Sequence, residues 1–154
     1  MMPGFLKEFP NLHPLIVHFP IVLLLLAMFS QLAVLFFPKN SQLKWLTFFF
    51  LITGCIGTFA AIQTAVHISG DADDKVIEIF ESHQLFGNLT LWFSLAATII
   101  RFTALKWFKK ILLEIILTIL LITISVFVII TGHHGAQLVH IYDAGPKGNN
   151  VMSK

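Results

Sequence analysis

The chain has 154 residues, 56% apolar and 12% charged, with a formal net charge of +2 and a mean hydropathy of +0.85. A soluble domain carries about twice that charged fraction, and so weak and dispersed a positive charge excludes the basic face that nucleic-acid binding needs. The apolar residues fall in four blocks, 15–37, 43–68, 85–100 and 111–130, each near or above the roughly 18 residues that span hydrocarbon. This pattern predicts an all-α, antiparallel up-down four-helix bundle in the lipid bilayer, a single domain with helices over 13–37, 43–68, 74–104 and 109–133 and a tail over 134–154.

The first block is expected to be a retained helix. It is longer than the h-region of a signal peptide, which is at most about 15 residues, and it ends at Phe36-Phe37-Pro38-Lys39 without a small-residue cleavage site. Its entry, NLHPLIVHFPI, holds His13, Pro14, His18 and Pro20. Pro14 suits a first helical turn, where its missing N–H costs nothing. Pro20 is interior, frees the carbonyl of Ile16 and makes room beside His18.

In the second block, Gly54 and Gly57 predict close helix packing, and the single Cys55 is a small buried residue with no second cysteine to pair with. The block closes with Gln63, Thr64 and His67. The third helix is expected to start at Asp73 or Asp74 as N-cap, with Glu78 and Glu81 near the positive end of its dipole. His83 then lies over two turns in, with Asn88 and Thr90 following. The three aspartates of 71–74 lack the glycine and spaced glutamate of an EF-hand loop, so capping is their expected role. The fourth block ends at Thr131-Gly132-His133-His134, with His140 beyond.

Four spans create two faces. The turns at 39–44 and 101–110 hold Lys39, Lys44, Arg101, Lys106, Lys109 and Lys110, with Glu114 close by. The other face holds Lys7, Lys75, Lys147 and Lys154 together with Glu8, Asp71, Asp73, Asp74, Glu78, Glu81 and Asp143. Lys/Arg excess in short loops marks the cytoplasmic side. Both termini are therefore expected in the periplasm of a bacterium, the chain in the inner membrane, and Trp45 and Trp107 at the cytoplasmic boundary.

All seven histidines lie on the expected periplasmic side, and every helix contributes at least one. Interfacial histidine is common as an amphipathic anchor, but ionisable groups inside spans are costly and usually functional. His18, His67, His83 and His133, one per helix, are the candidate cofactor-binding residues, converging on one layer of the bundle. Gln63 and Asn88 are candidates to hold the outer nitrogens of ligating imidazoles, as such partners usually do, and Thr64, Thr90 and Thr131 lie near the same level.

Three functions are open on these residues. The first is a b-type haem protein with bis-histidine ligation, pairing His18 with His83 or His133. It would carry electrons between quinol or a membrane partner and a periplasmic redox protein. The other half of the bundle has no histidine, so redox work is confined to the outer leaflet. The second is a copper or zinc site drawn from His13, His18, His83, His133, His134 and His140, since three or four imidazoles at one level suit these metals. The third is a non-catalytic accessory subunit of a larger respiratory or transport assembly, or a homo-oligomer, whose histidines only hydrogen-bond. Hydrolysis is disfavoured, because no HExxH motif and no nucleophile-elbow serine occurs.

The stretches HPLIVHFPI (13–21) and TGHHGAQLVHIYDAG (131–145), with His83 followed by Asn88, resemble the opening, closing and third-helix segments of an uncharacterised family of bacterial four-helix membrane domains of unknown function. Ala136 stands where that family often has glycine, and Ile141 rather than glycine follows His140. Related domains are fused to Rieske or cytochrome c modules. The resemblance implies a four-helix membrane fold and a redox setting outside the membrane, with a periplasmic cytochrome or Rieske protein as partner.

Overall fold

The computed structural model describes residues 12–65, 68, 72–106 and 111–144. Their regular elements are four helices: α1, His13–Phe36; α2, Ser41–Gln63; α3, Asp74–Lys106; and α4, Ile111–His140. All four are long and apolar enough to cross a membrane. Each packs most extensively on its hairpin partner, α1 on α2 and α3 on α4. Contacts of α2 with α3 and of α1 with α4 close the ring, so α1 and α3 lie on a diagonal.

Local signals set the helix ends. Pro14 lies in the first turn of α1. The side chain of Asn40 caps α2, its Oδ1 accepting from Leu43 N–H at 3.2 Å, which is the favoured use of asparagine at that place. Asp73 caps α3 as expected: its carboxylate accepts from Lys75 N–H at 2.8 Å and its carbonyl from the N–H of Val76 and of Ile77.

The two helices of the first hairpin approach closely at Gly54 and Gly57. A Cβ on Gly54 would stand 2.8 Å from Leu24 Cδ2, and one on Gly57 would stand 3.2 Å from Cδ of Pro20. The interior proline therefore lies directly against a glycine of α2. Leu24, Ala27, Leu51, Ala97, Leu117, Leu121 and Ile124 form the centre of the bundle, all shut off from the surface. Outside, Phe19, Phe29, Phe36, Phe59, Trp92, Ile99, Ile119 and Ile129 are more than half exposed. An apolar surface of that extent belongs against lipid. In lipid the helices are held by close packing and polar contacts rather than by exclusion of water.

The helix limits depart from expectation at one end of the molecule. α2 stops at Gln63 rather than at 68, and side chains bond its last carbonyls. The hydroxyl of Thr64 donates to Ala60 O and Ala61 O, and the His13 ring also bonds Ala61 O. α4 runs to His140 rather than to 133, so 134–140, expected as tail, is helix. Gly132 and Gly135 do not terminate it; neither has a positive φ. At 1.5 Å per residue α3 and α4 are about 50 and 45 Å long, against about 36 and 35 Å for α1 and α2. The extra length of α3 and α4 lies at the end where α1 begins: α3 starts about 13 Å before His83, which stands opposite His13, and α4 runs about 7 Å past Gly135, on which the His83 ring rests. Val76 and Leu138, with Ala72, form a second apolar cluster that holds this projection together, flanked by Ile77, Phe80 and Tyr142. Outside the bilayer each such side chain contributes about 1.5–3 kcal/mol on burial.

Candidate functional site

The opening of α1, the end of α2 and the inner walls of α3 and α4 enclose a cavity of about 770 Å³. Its floor is the top of the central core, at Leu24 and Val128, with Pro20, Thr58 and Thr90 beside them. That volume falls within the ~300–1,000 Å³ typical of small-molecule and cofactor sites. The lining is apolar with uncharged polar groups; it includes His13, His18, His83 and His140 and no Asp, Glu, Lys or Arg among the described residues.

His13 and His83 face each other across the bundle diagonal, their ring centroids 6.4 Å apart and their planes inclined at 74°. Both are half-buried. Nδ1 of His13 lies 2.8 Å from Ala61 O and 3.3 Å from Thr64 Oγ1. Nδ1 of His83 lies 2.9 Å from Thr131 O. A carbonyl only accepts, so Nδ1 is the donor in each ring, and in the neutral imidazole Nε2 then carries the lone pair. This fixes orientation and tautomer in the manner of a ligating histidine. Two further features set the place of His83. Its ring rests against Gly135, where a Cβ would stand 3.1 Å from Cε1. The Thr131 hydroxyl, beside the carbonyl that holds His83, is buried without a hydrogen-bond partner and so is available to something placed in the cavity.

The other expected site residues divide. His18 lines the cavity but is exposed, with Nδ1 donating to Pro14 O at 2.7 Å one turn back. His140 lines it from the last residue of α4. His133 and His134 stand 6.0 Å apart on α4, with His134 against the Phe86 ring at 6.2 Å; neither lines the cavity. His67 lies outside the described residues. Gln63 and Asn88 are in the lining, while Nδ1 of His13 is bonded to the Ala61 carbonyl and Thr64 Oγ1 and that of His83 to the Thr131 carbonyl. Among the described residues no three His, Cys, Asp or Glu converge as a metal ion held by side chains alone requires.

A second polar cluster, absent from the expectations above, lies at the opposite end. Arg101 is fully buried and gives Nη1 and Nη2 to the two oxygens of Glu114 at 3.1 and 3.0 Å. Nη2 also donates to Oε1 of Gln31. The Gln31 amide donates to Glu114 Oε2 and Thr118 Oγ1, each at 3.1 Å, and Lys44 Nζ reaches Glu114 Oε1 at 3.2 Å. One clue was present in the sequence. Gln31, Arg101 and Glu114 interrupt three apolar runs, each within five residues of a helix end on the same side.

A family described as "Predicted membrane protein (DUF2231)" matches residues 10–148. The chain belongs to that family. No curated protein and no solved structure matches it. Membership of DUF2231 thus agrees with four membrane-crossing helices and assigns no chemistry to the cavity.

Proposed function

We propose that the chain is a membrane-embedded b-type haem protein in which His13 and His83 supply the two axial imidazoles. It carries electrons on the periplasmic side of a bacterial inner membrane, between quinol or a membrane partner and a periplasmic cytochrome or Rieske protein. The observation that carries this reading is the facing pair itself. A coordinated metal sits about 2 Å from an imidazole nitrogen, hence about 3 Å from the ring centroid, so two imidazoles on opposite sides of one metal have centroids about 6 Å apart. The observed separation is 6.4 Å.

The donor set favours haem over a bare metal. Zinc or copper held by imidazoles alone takes three or four at one point, whereas haem iron asks the protein for two. His13 and His83 would hold the iron, and the haem would supply one-electron chemistry. The apolar lining would keep water from the ring. His18 and His140, at the exposed rim, would stand nearest a partner. The lysines of the short turns support the orientation: Lys39, Lys44 and Lys106 lie at the end away from the histidines, and such an excess favours that end as the cytoplasmic one.

The test is an absorption spectrum of the detergent-purified protein, oxidised and then reduced with dithionite. The expected result is a Soret band that shifts, with sharp visible bands appearing on reduction. The bands should be lost in His13→Ala and His83→Ala and kept in His133→Ala. A featureless spectrum from haem-supplemented cells would overturn the reading and leave the accessory-subunit role.

A further inference from the structure

Polar contacts tie each hairpin at both of its ends. The α1–α2 hairpin is tied at one end by His13 to Ala61 O and at the other by Ser30 Oγ to Thr47 Oγ1 at 2.9 Å. The α3–α4 hairpin is tied at one end by His83 to Thr131 O and at the other by Arg101 to Glu114. Between the hairpins, several hydrogen bonds and an ion pair gather at one end. Gln31 of α1 bonds Arg101, Glu114 and Thr118, and Lys44 of α2 pairs with Glu114. At the other end the cavity opens between the hairpins, and the ring of His13 on one meets that of His83 on the other edge to face, 6.4 Å between centroids.

Between these two ends the hairpins meet through the central core, where Leu24 and Leu51 of the first pack with Ala97, Leu117, Leu121 and Ile124 of the second. Apolar contacts have no fixed direction and allow packed helices to shear or roll. The polar pin is not a strong lock either. The desolvation cost of a buried ion pair cancels much of its attraction, and Arg101 Nε, buried in the pinned state, has no hydrogen-bond partner. Opening that end to water would hydrate all of these groups.

We propose that the two hairpins rock against each other about the apolar core, between the pinned state with the histidine cavity open and a second state with the pin released. In the second state the Arg101–Glu114 end is parted and His13 and His83 are drawn together. A ligand filling the cavity holds the hairpins in the pinned state. This inference does not depend on what that ligand is.

Distances between paired spin labels test it, in a Cys55→Ser background and without added cofactor. Labels at Leu15 and Leu85 report the cavity end, and labels at Phe36 and Leu112 report the pin end; all four side chains are exposed. Leu15 with Phe59 is the control within the first hairpin. The variant Gln31→Met with Lys44→Met removes the ties between hairpins and keeps the Arg101–Glu114 pair within α3–α4. The expected result is a longer Phe36–Leu112 distance and a shorter Leu15–Leu85 distance, each by more than ~2 Å, the scale of domain rearrangement, with the control unchanged. Unchanged distances at both ends in helical, monodisperse protein would overturn the proposal. So would lengthening at both ends, which describes a clamp rather than a rocker. Should the double variant not fold, the same label pairs on the intact pin decide. Two populations at each end support rocking, and a single narrow population at both ends sinks it.

Discussion

The two ends of this bundle use polar side chains in opposite ways. At the cavity end, Nδ1 of His13 and of His83 is each held by a backbone carbonyl, and both rings line the cavity. At the pin end, Gln31, Arg101 and Glu114 are buried and bond to one another. The first end is lined with uncharged groups; the second is built from charges. Neutral imidazoles tolerate a half-wet cavity, whereas a guanidinium at membrane depth needs a carboxylate beside it. The contrast teaches that a polar group in a membrane span is explained by where its hydrogen bonds go. A cluster of mutually bonded charges ties helices together, and a ring held in place beside a cavity is a site.

The sharpest way to break this contrast is to remove one charge from the pin. Glu114→Ala leaves Arg101 buried without its carboxylate, and removing one member of a buried pair costs about 3–5 kcal/mol. Detergent-driven unfolding followed by circular dichroism should show a loss of that size, the largest expected of any polar substitution in the chain. A loss below about 1 kcal/mol would mean that water or lipid headgroups reach Arg101 after all. Leu138→Ala comes next. It deletes a 6%-exposed side chain that holds the α3–α4 projection together, and core truncations of this kind cost about 2–5 kcal/mol. The damage should be local: amide exchange should speed up beyond Thr131 and before His83, while the pin end stays protected.

Much of the fold was legible because membrane-span hydropathy is a strong signal, and the polar ends of helices less so. The sequence reading ends the fourth helix at His133, just past Gly132, and glycine commonly closes helices by adopting positive φ; Gly132 and Gly135 have none. They are instead helical: Gly135 makes way for the His83 ring, and Leu138 earns the added turns by packing on Val76. The one-sidedness of the histidines could be read directly from the sequence. Their pairing could not, because it depends on how far α3 and α4 overshoot α1, and that offset comes from the second apolar cluster. Arg101 and Lys44 read as loop charges because long cationic side chains near span ends usually reach outward. Only the combination of Gln31, Arg101 and Glu114 at matching depth separates an inward-facing cluster from a solvated rim.

Substitutions at the cavity end should cost far less than those at the pin. His83→Ala removes one hydrogen bond, to Thr131 O, worth about 0.5–1.5 kcal/mol net, since the vacated carbonyl borders a cavity that water can enter. The smallest effects come from two glycines one turn apart on α4. At Gly132 an added Cβ meets nothing within 4 Å, so Gly132→Ala should stabilise by about 0.5–1 kcal/mol through the lower flexibility of the unfolded chain. At Gly135 the same methyl group would stand 3.1 Å from Cε1 and 3.4 Å from Nδ1 of His83, so the ring must yield by a few tenths of an ångström. That displacement stretches its bond to Thr131 O and cancels the gain, leaving the stability of Gly135→Ala near that of the wild type. The two variants should part on a second readout, the imidazole nitrogen shifts of His83 by NMR, which move in Gly135→Ala and stay fixed in Gly132→Ala. Equal stabilisation by both, with no movement of the His83 signals, would mean that the ring is not seated against α4. The facing geometry with His13 would then lose its support on that side.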